Sequence, residues 1–291
     1  MTGGLPEIIL QKLTTVLATK ITSVQNLGGG SINQSFKLEA GHKTFFCKIN
    51  SATKFPQLIL KEKNGLEALA SAGPLRSPGI IGQGEEGEWQ YLILEYIEEG
   101  IRTSLFWEDF GRQLAAQHRH CSTRYGWEED NYMGSVPQSN QYSADWTDFF
   151  MLQRLQPMVK RCYDHQLLEP RHLLAFDKLY RSLSAIFNNE PASLLHGDLW
   201  SGNFICDERS APVLIDPAVY YGHRSMDLGM TRLFGGFDPL FYQSYNEQFP
   251  LPLGFEEQCE VCNLYPLLIH LFLFGGSYLY LIEDRLSPFN R

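Results

Sequence analysis

Two carboxylates and an amide, Asp198, Asp216 and Asn203, lie close together in the sequence and could form a catalytic and metal-binding group. Asp198 follows a His-Gly dipeptide, Asn203 comes five positions later, and Asp216 ends the short apolar run 213–215. In such an order, one carboxylate orients or deprotonates a hydroxyl group, while the asparagine and the second carboxylate hold a metal ion that bridges phosphate oxygens. The pattern therefore predicts a phosphoryl-transfer site, with Asp198 as the catalytic residue and Asn203 and Asp216 as ligands of Mg²⁺.

Two glycines in the same stretch, Gly197 and Gly202, would permit the tight turns that a crowded loop requires. A lone His-Gly-Asp tripeptide is also common in ordinary surface turns, which is the alternative interpretation. The complete pair of sequences, HGDLWSGN at 196–203 and IDPA at 215–218, is much more specific than the tripeptide.

A glycine run and a lysine follow one another near the N-terminus. Gly28, Gly29, Gly30 and Ser31 connect two predicted strands, and Lys48 lies on the next strand within the sequence TFFCKIN. Glycines let a loop approach phosphates closely, and a buried lysine needs an anionic partner. We expect the glycine loop to cover nucleotide phosphates and Lys48 to contact the α- and β-phosphates. A plain hairpin turn and an edge-strand lysine pointing to water are the alternatives.

Glu62 is the expected partner of Lys48. Residues 56–71 have the periodicity of a helix, and Glu62 shares the face of the apolar residues Ile59 and Leu66. A glutamate on a buried face needs a cation, and Lys48 is the natural one. The alternative is a boundary glutamate that bends out to solvent.

Alternation and periodicity indicate the order of the elements. An N-terminal helix precedes five strands within residues 21–96, which should form an antiparallel sheet with one further helix. The remainder is mainly helical, except for the polar stretch 121–145, whose length favours a functional role. We interpret the apolar run 264–282 as one buried core helix and not as a membrane span.

Composition limits the function classes. The chain has 291 residues and a net charge of −9, which argues against nucleic-acid binding because a phosphate backbone demands a basic surface. The six scattered cysteines predict no disulfide framework, and we do not expect the N-terminal segment, broken by Pro6, to act as a secretory leader. We interpret Cys259 and Cys262 as buried thiols on a helix. A reducing cytoplasm is the expected location.

The chain resembles the fructosamine kinase (ketosamine 3-kinase) family, which is related to aminoglycoside and choline kinases. The resemblance is carried by HGDLWSGN with the later DPA, and it extends over nearly the whole chain. Further matching pieces are GGGSINQSF at 28–36, CKIN at 47–50, NGLEAL at 64–69, PQSN at 137–140, DWTDFF at 145–150 and FGG at 274–276.

The resemblance implies an α+β, two-lobed protein-kinase-like fold. A small antiparallel-sheet lobe, residues 1–97, would bind ATP, and a larger mainly helical lobe, residues 98–291, would carry the catalytic and acceptor groups. Glu95, Tyr96 and Ile97 resemble the hinge between such lobes, where backbone groups bind the adenine edge.

The resemblance also implies a reaction and further site residues. ATP and Mg²⁺ would phosphorylate the 3-hydroxyl of a small-molecule or protein-bound ketosamine, in the repair of glycated amines. Trp200 could stack on the sugar, and His270 is either an acceptor contact or a core histidine. His196 and Asp227 would support the catalytic loop. Two rival functions remain, a kinase of the choline or aminoglycoside type and a non-catalytic nucleotide-binding scaffold.

Overall fold

The residues singled out above lie between a small antiparallel sheet and a larger, mainly helical region. The computed structural model describes residues 4–28 and 32–290. Gly29, Gly30 and Ser31 of the predicted phosphate loop therefore lie outside the described residues. The predicted α+β, two-lobed kinase-like fold is confirmed.

The small sheet has five antiparallel strands in the order β1-β2-β3-β5-β4. Its strands are β1 (Ile21–Asn26), β2 (Gln34–Ala40), β3 (Lys43–Ser51), β4 (Ile80–Glu86) and β5 (Trp89–Glu95). In β3, Lys48 is paired with Ser35 on one side and Leu92 on the other. Lys48 thus occupies the central strand, and the edge-strand alternative is wrong.

Two helices cover the two faces of this sheet. Helix α1 (Glu7–Leu17) buries Ile9 and Leu13 against the sheet face that carries Phe36, Cys47 and Ile93. Helix α2 (Leu58–Ala72) buries Ile59 and Leu66 on the opposite face. Because successive strand residues point to opposite faces, Lys48 faces α2 while Cys47 faces α1.

The larger lobe is built from helices with short sheets between them. Its helices are α3 (Ser104–His118), α4 (Trp146–Phe149), α5 (Gln156–Asp164), α6 (Pro170–Ile186), α7 (Ser225–Leu233), α8 (Pro239–Gln248), α9 (Phe255–Cys262), α10 (Leu264–Phe274) and α11 (Leu279–Leu286). A π-helical turn at Phe150–Leu155 joins α4 to α5. The short strands are β6 (Cys121–Ser122), β7 (Asn131–Met133), β8 (Val136–Gln138), β9 (Ala192–Leu195), β10 (Phe204–Cys206), β11 (Pro212–Leu214) and β12 (Tyr220–Gly222).

The interpretation of 264–282 as one helix is wrong. Helix α10 ends at Phe274, Gly275 adopts φ +89°, and a 3₁₀ turn (Gly276–Tyr278) leads into α11. A positive φ at this position suits glycine and stops the helix. No helix in the described ranges 4–28 and 32–290 is long and apolar enough to span a membrane.

All six cysteines are free thiols. Cys259 and Cys262 are buried on α9, as expected, and burial raises the pKa of both thiols. The thiolate is the reactive form of cysteine, and a raised pKa keeps both side chains in the thiol form. Cys259 and Cys262 should therefore be unreactive core residues.

Candidate active site

A sharp turn after β9 positions Asp198. Gly197 adopts φ +84°, and a Cβ atom there would lie 2.1 Å from the carbonyl oxygen of Ala218. Only glycine fits this close approach, which brings the loop beside the segment that follows Asp216. The Ala218 amide also donates a hydrogen bond to the carbonyl of His196, at 2.8 Å. The two halves of the predicted motif are therefore joined by backbone contacts.

Asp227 stabilises this turn through hydrogen bonds to its backbone. Its buried carboxylate accepts hydrogen bonds from the amides of His196, at 2.7 Å, and Gly197, at 2.9 Å. His118, fully buried, lies 3.2 Å from the same carboxylate. Burial alone would raise the pKa of Asp227, but the contacts with His118, His196 and Gly197 outweigh it and lower the pKa. Asp227 therefore stays ionised and fixes the backbone that leads to Asp198.

Asn203 turns back onto Asp198. Its Nδ2 donates to the backbone carbonyl of Asp198 at 2.8 Å and to the carboxylate Oδ2 at 3.0 Å. The surrounding protein strips water from Asp198 and raises its pKa to about 7, against the lowering effect of Asn203, with Asp216 and Asp227 adding to the increase. A carboxyl with a pKa near the working pH is suited to accept a proton.

Lys48 contacts two carboxylates, Glu62 from its own lobe and Asp216 from the larger lobe. Its ammonium lies 2.8 Å from Glu62 Oε1 and 2.6 Å from Asp216 Oδ1. The side chains of Lys48 and Glu62 are only 3% and 8% exposed, so Glu62 does not bend out to solvent. Burial would lower the pKa of Lys48, but the two carboxylates raise it overall, and burial raises the pKa of Glu62. The side chain of Lys48 therefore keeps its positive charge at the cleft.

Asp216 has an unusual backbone for a non-glycine residue. Its φ is +55°, in the left-handed region that aspartate tolerates better than most residues. Its side chain is 46% exposed and reaches the cleft. Such a conformation at a predicted metal ligand is consistent with a functional constraint on where the carboxylate points.

A cavity of about 240 Å³ collects these side chains. Lys48, Glu62, Asp198, Asn203 and Asp216 all line it. The structure therefore brings together the five charged and polar residues that the sequence predicted as catalytic or metal-binding.

Trp200 lines the same cavity, with 38% of its surface exposed. Its ring lies over Gly202, where a Cβ atom would be 2.5 Å from Cη2 and Cζ2 of the indole. Gly202 is thus required for the close approach of Trp200, a requirement that is not visible in the sequence.

The donor set fits a magnesium ion. Because the Nδ2 of Asn203 is engaged by Asp198, its amide oxygen is the atom left for a cation. Asp216 has Oδ1 on Lys48 and keeps its second oxygen. Within the described residues no group of three His, Cys, Asp or Glu side chains could hold a metal. A site of two protein oxygens completed by phosphate oxygens and water is the arrangement that Mg²⁺ prefers.

A second cavity, of about 470 Å³, opens beside β5 and the predicted hinge. Lys48 and Asp216 line both cavities, so the two are adjacent. Its walls are largely apolar and include Leu27, Phe46, Leu94, Ile97, Ile205 and Ile215. A flat aromatic group could occupy such a space.

Glu95, Tyr96 and Ile97 all line this second cavity. The amide of Glu95, however, donates to the carbonyl of Gly79 at 2.8 Å. Its carboxylate accepts from the Gly79 amide and pairs with Arg76. Glu95 therefore braces the sheet end, which leaves the backbones of Tyr96 and Ile97 as the better candidates for a ligand edge.

His270 does not line the cavity but packs against Phe234, an aromatic neighbour of Trp200. Its ring centroid is 4.6 Å from that of Phe234, and Phe234 in turn lies 6.3 Å from Trp200. Its Nδ1 contacts the carbonyl of Pro266 at 2.7 Å, and burial lowers its pKa. Among the described residues, Phe234 contacts both rings, and no direct contact between His270 and Trp200 is seen.

Three residues of the stretch 121–145 also reach the cavity and were not singled out from the sequence. They are Asn131, Tyr132 and Gly134, on and beside β7. Asn131 donates to the carbonyl of Val219 at 2.8 Å, and the Tyr132 hydroxyl donates to that of Pro56 at 3.0 Å. The available signal was the length of this irregular stretch, which did not identify individual residues.

A sheet lobe over a helical lobe, with Asp198, Asn203 and Asp216 facing the Lys48–Glu62 pair, defines a phosphotransferase of the protein-kinase-like class. The family model described as fructosamine kinase matches residues 7–288. The chain belongs to the fructosamine kinase family.

Relatives and solved structures agree with this assignment. A probable ketoamine kinase of Synechocystis is 37% identical over 91% of this chain and 89% of its own. The chloroplastic protein-ribulosamine 3-kinase of Arabidopsis thaliana is 36% identical over 91% and 82%. A candidate fructosamine-3-kinase from Thermobifida fusca has a TM-score of 0.88 at 29% identity, over 97% and 98%. An aminoglycoside phosphotransferase in complex with AMP-PNP and hygromycin B shares the fold, with a TM-score of 0.65 at 14% identity, over 98% of both chains.

Proposed function

We propose that this protein is an ATP-dependent kinase that phosphorylates the 3-hydroxyl of ketosamines such as fructosamines and ribulosamines. The observation that carries the proposal is the convergence of Asp198, Asn203, Asp216 and the Lys48–Glu62 pair on one cavity. The names of the relatives, ketoamine kinase and protein-ribulosamine 3-kinase, support the acceptor class.

ATP would span the two adjacent cavities. Its adenine would occupy the apolar cavity beside Tyr96 and Ile97, and its phosphates would extend past Lys48 towards Asp198. The Lys48 ammonium, held by Glu62, would neutralise the α- and β-phosphates. Gly28, Gly29, Gly30 and Ser31 would cover the phosphates. The chain's lobes would meet near residue 97, with ATP between them.

Asn203 and Asp216 would hold Mg²⁺ when it is bound, and this ion would supply charge neutralisation for the β- and γ-phosphates. Its removal should abolish turnover. The residues of the chain retain the other tasks, which are to align the acceptor and accept its proton.

In the reaction, the 3-hydroxyl oxygen of the ketosamine attacks the γ-phosphorus. The new O–P bond forms, the bond between the γ-phosphorus and the β,γ-bridging oxygen breaks, and ADP leaves. The hydroxyl proton passes to the carboxylate of Asp198, which the pKa of about 7 equips to accept it. Asp227 fixes the position of Asp198 through the backbone of His196 and Gly197.

The acceptor would lie against Trp200. The indole flanks the cavity two residues after Asp198 and presents a flat face to a sugar. His270 would support the acceptor side by packing against Phe234, which also contacts Trp200. The amine of the ketosamine could be a free metabolite or a protein side chain, and the role would be deglycation in a reducing cytoplasm, where six free thiols are expected.

The test is ATP consumption with Mg²⁺ against a fructosamine, a ribulosamine, choline and an aminoglycoside, using Asp198→Asn as the control. We expect turnover on a ketosamine that the variant loses. Turnover on choline or the aminoglycoside alone would reject the acceptor class and keep the kinase mechanism. Nucleotide binding without turnover on any acceptor would favour a scaffold.

A further inference from the structure

Helix α2, which carries Glu62, is held by a segment of the other lobe. We call residues 129–140, which include β7 and β8, the clamp segment. Glu129 of this segment accepts a hydrogen bond from Asn64 Nδ2 at 2.8 Å and lies 3.4 Å from the ammonium of Lys61. The Lys61 ammonium also donates to the carbonyl of Asp130. All three contacts join residues more than sixty positions apart in the chain.

These contacts flank Glu62. Lys61 precedes it directly and Asn64 follows it by two positions, so the helix cannot turn or slide without straining the contacts to Glu129. Tyr132 adds a fourth contact at the N-terminal end of the helix, through the carbonyl of Pro56, at 3.0 Å. The clamp segment therefore fixes the part of α2 that aims Glu62 at Lys48.

The clamp segment is itself firmly braced. Asn140, 1% exposed, donates from Nδ2 to the carbonyl of Glu129 and from its amide to Asp130, at 3.0 and 2.8 Å. Arg154, fully buried, donates to the amide oxygen of Asn140 at 2.7 Å. Buried polar groups that are satisfied in this way rigidify the backbone that they hold. The carboxylate of Glu129 is thus presented from a rigid part of the large lobe.

The same helix also touches the segment that follows Asp216. A Cβ atom at Gly65 would lie 3.2 Å from Pro217 Cγ and 3.4 Å from Val219. The absence of a side chain lets α2 approach this segment, and the clamp residue Asn131 donates a hydrogen bond to the carbonyl of Val219. The distance between Glu62 and Asp216, which both contact Lys48, therefore depends on how α2 is seated.

We propose that Glu129 is a positioning residue for phosphoryl transfer, because it seats α2 so that Glu62 and Asp216 together hold Lys48 in the cleft. This inference rests on the proposed function, which assigns Lys48 to the nucleotide phosphates. Glu129 touches neither nucleotide nor acceptor; it acts through α2.

If Glu129 had a purely structural role, its replacement would lower stability more than it lowered catalysis. The side chains of Lys61 and Glu129 are 15% and 29% exposed, and α2 keeps its apolar packing through Ile59 and Leu66 when this pair is lost. The effect of the pair on global stability should therefore be small. A misplaced catalytic group costs far more in rate, so Glu129→Ala should change catalysis much more than the melting temperature.

The first experiment compares Glu129→Ala, Glu129→Gln and Glu67→Ala in the full chain. We expect Glu129→Ala to lower kcat/KM for ATP by about tenfold or more, with the acceptor KM within about twofold of wild type. Glu129→Gln keeps an acceptor for Asn64 and should lose less. Glu67, on the exposed side of the same helix and paired with Lys63, is the matched control and should leave turnover unchanged.

The second experiment is a double-mutant cycle with Glu62→Gln, followed by kcat/KM for ATP. If Glu129 acts through Glu62, Glu129→Ala should cost little further activity once Glu62 has been replaced. Multiplying losses would overturn the proposal, as would wild-type turnover in both Glu129 variants while Glu62→Gln is impaired. If Glu62→Gln itself has wild-type activity, the proposed role of the Lys48–Glu62 pair fails, and the role of Glu129 fails with it. Should Glu129→Ala not fold, Glu129→Gln in the same cycle decides.

Discussion

Lys48 combines two properties that seldom occur together, near-complete burial and a full positive charge. Glu62 and Asp216 make this possible, because each places a carboxylate within 3 Å of its ammonium. A nucleotide that enters the cleft meets a cation that has already been desolvated and oriented. Electrostatic preorganisation of this kind supplies a large part of the rate enhancement in many enzymes.

We expect Lys48→Met to abolish turnover without unfolding the protein. The loss should be on the order of 10³-fold or more, because a positioned phosphate contact is removed. The fold survives because burial already raises the pKa of Glu62, which can take up a proton when its partner is lost. Turnover and urea denaturation measured in parallel test this, with Lys63→Met on the exposed side of α2 as the control. Near-wild-type turnover in Lys48→Met would refute the assignment.

Asp227 makes stability dependent on pH. Its folded pKa is lower than its ordinary value of 3.8, so its contribution is complete above that value and is lost as the pH falls through the folded pKa. Asp227→Asn should lower the unfolding free energy by about 2 kcal/mol near neutral pH. The reason is that a neutral amide binds the backbone amides of His196 and Gly197 less strongly than the carboxylate does. The difference between wild type and variant should stay constant from about pH 7 to pH 5 and shrink in stronger acid. A difference that grows on acidification would contradict this sign.

At the scale of elements, the catalytic loop depends on two glycines for different reasons. Gly197 needs a positive φ and a close approach to the Ala218 carbonyl, whereas Gly202 needs only the absence of a Cβ atom beneath Trp200. The first sets the path of the backbone to Asp198, and the second sets the position of the indole. The two effects can therefore be separated by mutation.

Gly202→Ala should displace Trp200 and weaken acceptor binding selectively. We expect the KM for a ketosamine to rise several-fold while the KM for ATP stays near its wild-type value, because one methyl group moves a ring at the acceptor side only. Trp200→Ala should show the same selectivity and serves as the matched comparison. An equal rise in both KM values would indicate general damage to the loop instead.

For the molecule as a whole, the fold was predictable where determinants are local or periodic. Lys48 was identifiable because a charge interrupts an apolar strand, and Asp198 with Asn203 because their spacing lies within one loop. The end of α10 at Phe274 was missed, since the apolar run continues past Gly275 and its periodicity hides the break. Glu129 was missed because its partners lie more than sixty residues away and polar loop residues carry no periodicity.

Nucleotide binding should stabilise both lobes together, since ATP would contact residues from each. A ligand at about 100 times its Kd adds about 2.7 kcal/mol to the unfolding free energy. We expect ADP with Mg²⁺ to raise the melting temperature more than ADP with EDTA, and Asp216→Asn to remove that difference. Equal stabilisation with and without the metal would argue against Asn203 and Asp216 as its ligands.

The most direct test follows the labelled γ-phosphate of ATP to a fructosamine and locates it on the product by phosphorus NMR. We predict that the wild-type protein places it on O3, that a 3-deoxy analogue receives none, and that Asp198→Asn transfers at least about 10³-fold more slowly. Phosphate on another hydroxyl, or equal transfer by Asp198→Asn, would contradict the proposed reaction at its centre.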